Sequence, residues 1–137
     1  MNARELLAQH DGLRALTIDL VQAARTVMSD GPAPLAQAAR LLCEALVAHN
    51  RREEELLEPL LYSNDLWSSM RVAEMLEDHR VEHEAFVADL GRVAQASHAS
   101  VDLEARVFEL AAAIYRHMEL EEIEYLNARV MRDDVAR

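Results

Sequence analysis

A chain of 137 residues is long enough for one ordinary domain with a single hydrophobic core. Hydrophobic residues make up 51% of it, and glycine and proline number only three each, so few positions can interrupt a helix and an all-α fold is expected. The formal net charge is −11 and no basic patch stands out, which argues against nucleic acid or an anionic membrane surface as a partner.

The first helix is predicted over about residues 3–28, because apolar residues recur there at steps of three and four. A histidine lies in the same stripe, which consists of Leu6, His10, Leu13, Thr17, Leu20 and Ala24. The sequence SDGPAP at residues 29–34 is the strongest turn signal in the chain, so the first connection is placed there.

The second helix is predicted from about residue 34, and its stripe contains both a histidine and a glutamate. The stripe consists of Leu35, Ala38, Leu42, Ala45, His49, Glu53, Leu56 and Leu60. Pro59 should kink or stop this helix near its end. Serine and asparagine are frequent over residues 62–69, which predicts the second connection.

The third and fourth helices are predicted over about residues 69–96 and 101–131, with a turn at 97–100 between them. The third stripe consists of Val72, Leu76, His79, His83, Phe86, Leu90 and Val93. The fourth consists of Val107, Leu110, Ile114, His117 and Glu121. The last six residues are expected to fray.

Four long helices joined by short connections predict one domain over residues 1–137, folded as an antiparallel up-down-up-down four-helix bundle. The height of a residue along the bundle follows from its distance in sequence from the nearest turn, at a rise of about 1.5 Å per residue. In the first and last hairpins, the histidines and glutamates of the two paired helices differ in height by about one helical turn. These side chains are therefore expected in one layer, although the middle hairpin fits this register less well.

Polar residues with metal-ligating side chains occupy core positions in all four stripes. They are His10, His49, Glu53, His79, His83, His117 and Glu121. Burying them among leucines is costly unless cations lie between them. Imidazole and carboxylate suit iron, manganese, zinc or copper, and the single cysteine disfavours an iron–sulfur cluster. Five histidines and two carboxylates are too many for one ion and sensible for two.

This ordered set of motifs resembles the haemerythrin and haemerythrin-like (HHE cation-binding) family over most of the chain, from His10 to Glu121. The matching pieces are a lone histidine on the first helix, HxxxE, HxxxH, and a final histidine with a nearby acid. The resemblance implies a four-helix bundle with two non-haem iron ions, bridged by an oxo or hydroxo group and by two carboxylates. It assigns His79, His83 and His117 to one ion, His10 and His49 to the other, and Glu53 and Glu121 to both.

The second bridging carboxylate has an alternative one residue further along. Oxygen-carrying members of the family have an aspartate five residues after the last histidine, where this sequence has Glu122. Glu121 continues the core stripe of the fourth helix, whereas Glu122 is turned about 100° away from it. Glu121 is therefore favoured, and Glu122 is the alternative.

The function implied by the resemblance is binding of dioxygen or a related diatomic ligand, for storage, delivery or sensing. The alternative is a di-iron enzyme or stress protein that acts on peroxide or nitric oxide, or that repairs iron centres. A sensor would need a separate protein partner, and a ferritin-like oxidase is set aside because Glu-x-x-His is missing. A purely structural bundle leaves HxxxE and HxxxH in core stripes unexplained.

The remaining polar features predict no further site. Glutamates outside the stripes are interpreted as solvated charges, namely Glu54, Glu55, Glu82, Glu84 and Glu124. The N-terminal segment lacks an apolar signal core, and no apolar run is long enough to cross a membrane. A cytoplasmic protein is expected.

Overall fold

The computed structural model describes residues 3–62 and 69–124, with the side chains of Ala3 and Leu60 excepted. Within these ranges the fold is entirely helical, which confirms the predicted all-α class. The helices are α1 (Ala3–Arg25), α2 (Val27–Asp30), α3 (Pro32–Tyr62), α4 (Ser69–Ala94) and α5 (Val101–Glu124). The predicted continuation of the fourth helix over residues 125–131 and the expected fraying of 132–137 lie outside the described residues.

The first connection is a turn with a short helix inside it. The first helix ends at Arg25 rather than at residue 28, and α2 follows after Thr26. Gly31 has φ 81°, a conformation that residues with a Cβ rarely adopt, and its N–H donates to the carbonyl of Val27. The break predicted at residues 29–34 is therefore confirmed only at Gly31, which ends α2, because residues 29–30 belong to α2 and residues 32–34 to α3.

Pro59 does not stop α3, which continues to Tyr62. Of the two outcomes predicted for Pro59, a kink or a stop, the stop was wrong. Because Pro59 lies in the last turn, its missing N–H removes a single hydrogen bond near the end of a helix of 31 residues. The packing of the rest of α3 against α1 and α4 outweighs that loss.

The buried face of α3 is rotated slightly from the predicted stripe. Ala38, Ala45 and Leu56 are only half-buried, whereas Leu46 and Leu57 are buried in their place. His49 and Glu53 lie near the middle of the buried face in both arrangements, so they keep their predicted positions. The side chain of Leu60 lies outside the described residues.

Two hydrophobic clusters enclose a polar layer. One cluster consists of Leu6, Leu57, Leu61, Val72 and Met75. The larger one includes Leu13, Leu46, Phe86, Ile114 and Met118. Along α1, His10 lies between Leu6 of the first cluster and Leu13 of the second. The histidines and the glutamate of α3 and α4 likewise lie between residues of the two clusters on their own helix. Burial of leucine on both sides excludes water from the layer between them.

The long helices pack as neighbours around this layer. The α1 helix packs against α3 and α5, α3 packs against α4, and α4 contacts α5. In the described part of the chain, no helix combines the length and the apolar character needed to cross a membrane.

Candidate metal centre

All seven side chains that the sequence singled out are buried together. Their exposed fractions do not exceed 9%, and that of His10 is 0%. They are His10 on α1, His49 and Glu53 on α3, His79 and His83 on α4, and His117 and Glu121 on α5. The four-residue spacing on α3, α4 and α5 puts both members of each pair on one helix face, so the core stripe carries them into the layer.

The ligand atoms form two groups that share one residue. His79, His83, His117 and Glu121 form the first group, and His10, His49, Glu53 and Glu121 form the second. Within each group the candidate ligand atoms lie within 4.8 Å of one another, close enough to contact a common metal ion. Glu121 belongs to both groups, so the two groups are adjacent.

Glu53 turns its two oxygen atoms toward different groups. Its Oε2 lies 3.0 Å from Nε2 of His49, whereas its Oε1 lies 3.0 Å from Nε2 of His79 and 3.4 Å from Nε2 of His83. A carboxylate in this orientation can bind one cation through each oxygen.

Glu121 has the same orientation from the opposite side of the layer. Its Oε1 lies 2.7 Å from Nε2 of His10, whereas its Oε2 lies 3.1 Å from Nε2 of His117 and also contacts His79. Together with Glu53, it gives the layer two carboxylates that each face histidines of both groups.

Several of these atoms are buried without a well-aligned hydrogen bond. They are both oxygens of Glu53, Oε1 of Glu121 and Nε2 of His10. The Nε2 atoms of His83 and His117 also point at each other, 2.9 Å apart. Each buried polar atom left without a partner costs about 1–3 kcal/mol. Cations between the side chains would satisfy all of these atoms, and nitrogen with carboxylate oxygen is a suitable ligand set for a transition metal, so the residues fit a metal centre.

Glu122 supports the centre from outside. Its Oε2 accepts hydrogen bonds from Nδ1–H of His10 and from Nη2 of Arg14, both at 2.7 Å. This contact orients the imidazole and directs Nε2 of His10 inward. The structure therefore brings Glu121, and not the alternative Glu122, into both groups of ligand atoms.

Two more histidines are held from outside in the same way. Nδ1–H of His49 donates to Oε1 of Gln9 at 2.7 Å, and Nδ1 of His117 lies 3.0 Å from Oε1 of Glu82, within ion-pair distance. The interpretation of Glu82 as a solvated charge was incomplete, because this half-exposed carboxylate also orients a buried histidine.

A sequence signal for these outer partners exists, although it is weak. Gln9 precedes His10, Glu82 precedes His83, and Glu122 follows Glu121. Each partner is thus adjacent in sequence to a residue of the layer, and it contacts a histidine on a neighbouring helix. Which of the many polar neighbours make such contacts depends on helix packing that the sequence alone does not give.

The protonation states of the layer follow from its burial. Burial lowers the pKa of His49 to about 4 and that of His83 to about 2, so both rings stay neutral at pH 7, as metal ligation requires. Burial, together with the charge of Glu121, raises the pKa of Glu53 well above its usual value. Burial would also raise the pKa of Glu121, but contacts with Glu53, His10, His117 and His79 outweigh it and hold that pKa well below 4.5.

These shifts link the stability of the metal-free protein to pH. Between pH 5.5 and 4.5, His49 and His83 bind protons in the unfolded chain but stay largely neutral when folded. Glu53 has the opposite effect, because its raised pKa lets it hold a proton only in the folded state. His10 and His117 have raised pKa values and are protonated in both states over this range. The unfolded chain therefore binds about one more proton than the folded one.

We expect the metal-free protein to lose stability on acidification, since stability rises with pH wherever the unfolded state binds more protons. One proton over one pH unit corresponds to about 1.4 kcal/mol lost between pH 5.5 and 4.5. Urea denaturation of the chelator-treated protein at these two pH values measures the difference. Equal free energies of unfolding at both values would contradict the neutral state assigned to His49 and His83.

A family model described as the hemerythrin HHE cation binding domain matches residues 1–128. Among curated proteins and among solved structures, no significant match to the chain is found.

Proposed function

The chain belongs to the haemerythrin HHE cation-binding family, and on that premise we propose that it is a non-haem di-iron protein that binds dioxygen or a related small ligand. The observation that carries the proposal is the position of two buried carboxylates, Glu53 and Glu121, between two groups of histidines. Bound iron would supply a redox-active centre to which a small ligand can add.

In this proposal each group of side chains would hold one ion. His79, His83 and His117 would hold the first, His10 and His49 would hold the second, and Glu53 and Glu121 would take part in both. The group with His10 and His49 has one histidine fewer, so an external ligand would add on its side. A set rich in imidazole also favours reversible binding over strong oxidative chemistry.

The side chains of the chain prepare the site in three ways. The outer contacts of His10, His49 and His117 fix the ring orientations and direct Nε2 of each ring into the layer. The carboxylates bring negative charge that balances the charge of the cations. The hydrophobic clusters on both sides exclude water, which protects the centre from uncontrolled hydrolysis and oxidation.

We further propose that the four long helices form an antiparallel up-down-up-down bundle, which explains how they deliver ligands to one layer. Contacts between neighbouring helices support it, because residue numbers rise on one helix as they fall on the next. Two contacts show this reversal for each pair of neighbouring helices. Between α1 and α3 they are Glu5–Arg52 and Gln9–His49. Between α3 and α4 they are Cys43–Val87 and Glu53–His79, and between α4 and α5 they are His79–Glu121 and His83–His117.

The test of ligand binding is a spectrum of the iron-loaded protein with and without oxygen. Loaded with Fe²⁺ under argon, it should develop a near-ultraviolet and visible absorption band on exposure to air. The band should disappear when oxygen is removed, and metal-free protein treated identically should show no change. A spectrum that oxygen does not alter would contradict the proposal, and catalytic loss of added peroxide would instead indicate an enzyme.

A further inference from the structure

A groove between α3 and α4 connects the protein surface with the buried layer. Its volume is about 310 Å³, and Glu53 and His79 form part of its wall. Three exposed carboxylates line its outer part: Glu54 and Glu58 on α3, and Glu77 on α4. A solute in this groove can therefore reach the layer without the helices unfolding.

The charge at the mouth of the groove is negative. Glu77 forms an ion pair with Arg80 one turn along α4, so these two side chains largely cancel. Glu54 and Glu58 lie one turn apart on α3, and neither forms an ion pair with a residue in the described ranges. They leave an excess of negative charge, which raises the local concentration of cations.

Two other grooves that reach residues of the layer lack this excess. The groove that ends at His83 is lined by Glu54 and Glu84, but also by Arg51 and Arg80, so its charges balance. The groove that ends at His49 is lined only by residues without a formal charge, among them Gln9. Of these three grooves, only the first, which leads from Glu58 at the surface to Glu53 and His79, has a net negative charge among the described residues that line it.

The inner end of the acidic groove is formed by a buried carboxylate whose oxygens lack a well-aligned hydrogen bond. The Glu53 side chain is 1% exposed, it lines the groove, and neither of its oxygens has a well-aligned hydrogen bond. Carboxylates thus follow one another from the exposed Glu58 and Glu54 to the buried Glu53. Hard and borderline divalent cations bind such oxygen ligands.

We propose that this groove is the route by which a divalent transition-metal ion enters and leaves the buried layer. The proposal rests on the proposed metal-binding function, and it adds the residues that control the rate of loading. Glu54 and Glu58 attract the hydrated ion, and Glu53 is the first residue of the layer that the ion contacts. Neither Glu54 nor Glu58 is a ligand in the loaded protein.

The first test compares loading rates of charge variants. The probe is Co²⁺, whose visible bands report binding in a stopped-flow spectrophotometer, after circular dichroism has verified that the metal-free protein is helical. The double variant Glu54→Gln/Glu58→Gln should load about tenfold more slowly at low ionic strength, with the difference shrinking in 0.5 M salt. Stoichiometry should stay unchanged. The matched control Glu44→Gln/Glu109→Gln removes the same charge from exposed positions outside the groove and should load as the unmodified protein does.

The second test blocks the groove and starts from the loaded protein, so it does not depend on a folded metal-free state. Ala73 is exposed on α4 and lines the groove, and Ala73→Phe should slow the release of Co²⁺ to an excess of chelator several-fold. Unchanged loading in the charge variant, or unchanged release in Ala73→Phe, with normal stoichiometry would overturn this route alone. A protein that binds no Co²⁺ at all would overturn the proposed function as well.

Discussion

The Glu121→Gln variant should lose both metal ions, whereas loss of a single histidine should affect mainly one of them. Glu121 belongs to both groups of candidate ligand atoms, and its two oxygens face different histidines. Glutamine has nearly the same shape, so packing in this buried position is retained, but it carries no charge and has a single oxygen. The effect of the change is therefore on metal binding and not on the fit of the side chain.

The matched control for this experiment is the Glu122→Gln variant. Glu122 contacts the outer nitrogen of His10, and it is not in either group. Loss of such an outer partner typically weakens metal affinity 10–100-fold, so this variant should keep its metal at saturating concentrations and release it more easily to a chelator. Elemental analysis after gel filtration gives the metal content of both variants. Full metal content in Glu121→Gln, with loss in Glu122→Gln, would show that the bridging position had been assigned to the wrong glutamate.

Removal of metal should lower the melting temperature of the unmodified protein by at least about 15 °C. One ion present at about a thousand times its dissociation constant stabilises the fold by about 4.1 kcal/mol, and each kcal/mol corresponds to about 4 °C for a domain of this size. A second ion adds to this shift. Without cations, the layer keeps several buried polar atoms that have no hydrogen bond. Circular dichroism before and after treatment with a strong chelator measures the shift.

Two controls separate this effect from damage by the chelator. Addition of Fe²⁺ under argon should restore the original melting temperature, and Glu121→Gln should melt at the same temperature with and without chelator. A protein that melts identically in both states would not depend on metal for its stability, and the layer would then be a satisfied polar core.

Most buried residues of α1, α4 and α5 could be predicted from the sequence because hydrophobic periodicity largely sets which face of a helix is buried. The exception in α4 is Leu76, which was predicted in the core stripe but is half-buried, whereas Met75 is buried. His10 falls between Leu6 and Leu13, and the histidines of α4 fall between Met75 and Phe86, so the helical repeat places them inside. The family resemblance, carried by the order and spacing of the motifs, is confirmed by the match over residues 1–128.

Features that depend on contacts between helices could not be predicted in this way. The buried face of α3 includes Leu46 and Leu57 rather than Ala45 and Leu56, because neighbours on both α1 and α4 decide its rotation. The continuation of α3 past Pro59 has the same origin, since packing along the helix offsets one missing hydrogen bond.

The outer partners of the histidines were missed for a related reason. Gln9 and Glu82 are polar residues off the core stripes, where periodicity predicts only exposure to solvent. Their contacts with His49 and His117 join different helices and depend on relative height and rotation to within a few ångströms. Pattern reasoning fixes which residue of a helix faces inward, but not which side chain on the next helix lies beside it.

The central claim is that buried histidines and glutamates from α1, α3, α4 and α5 hold a pair of ions. The most direct test is the iron content of the purified protein, which is expressed without an affinity tag in iron-replete medium. The two groups of ligand atoms predict two iron ions per chain, retained through gel filtration. Protein that leaves the column with no transition metal, and that takes up none when Fe²⁺ is added under argon, would contradict this assignment.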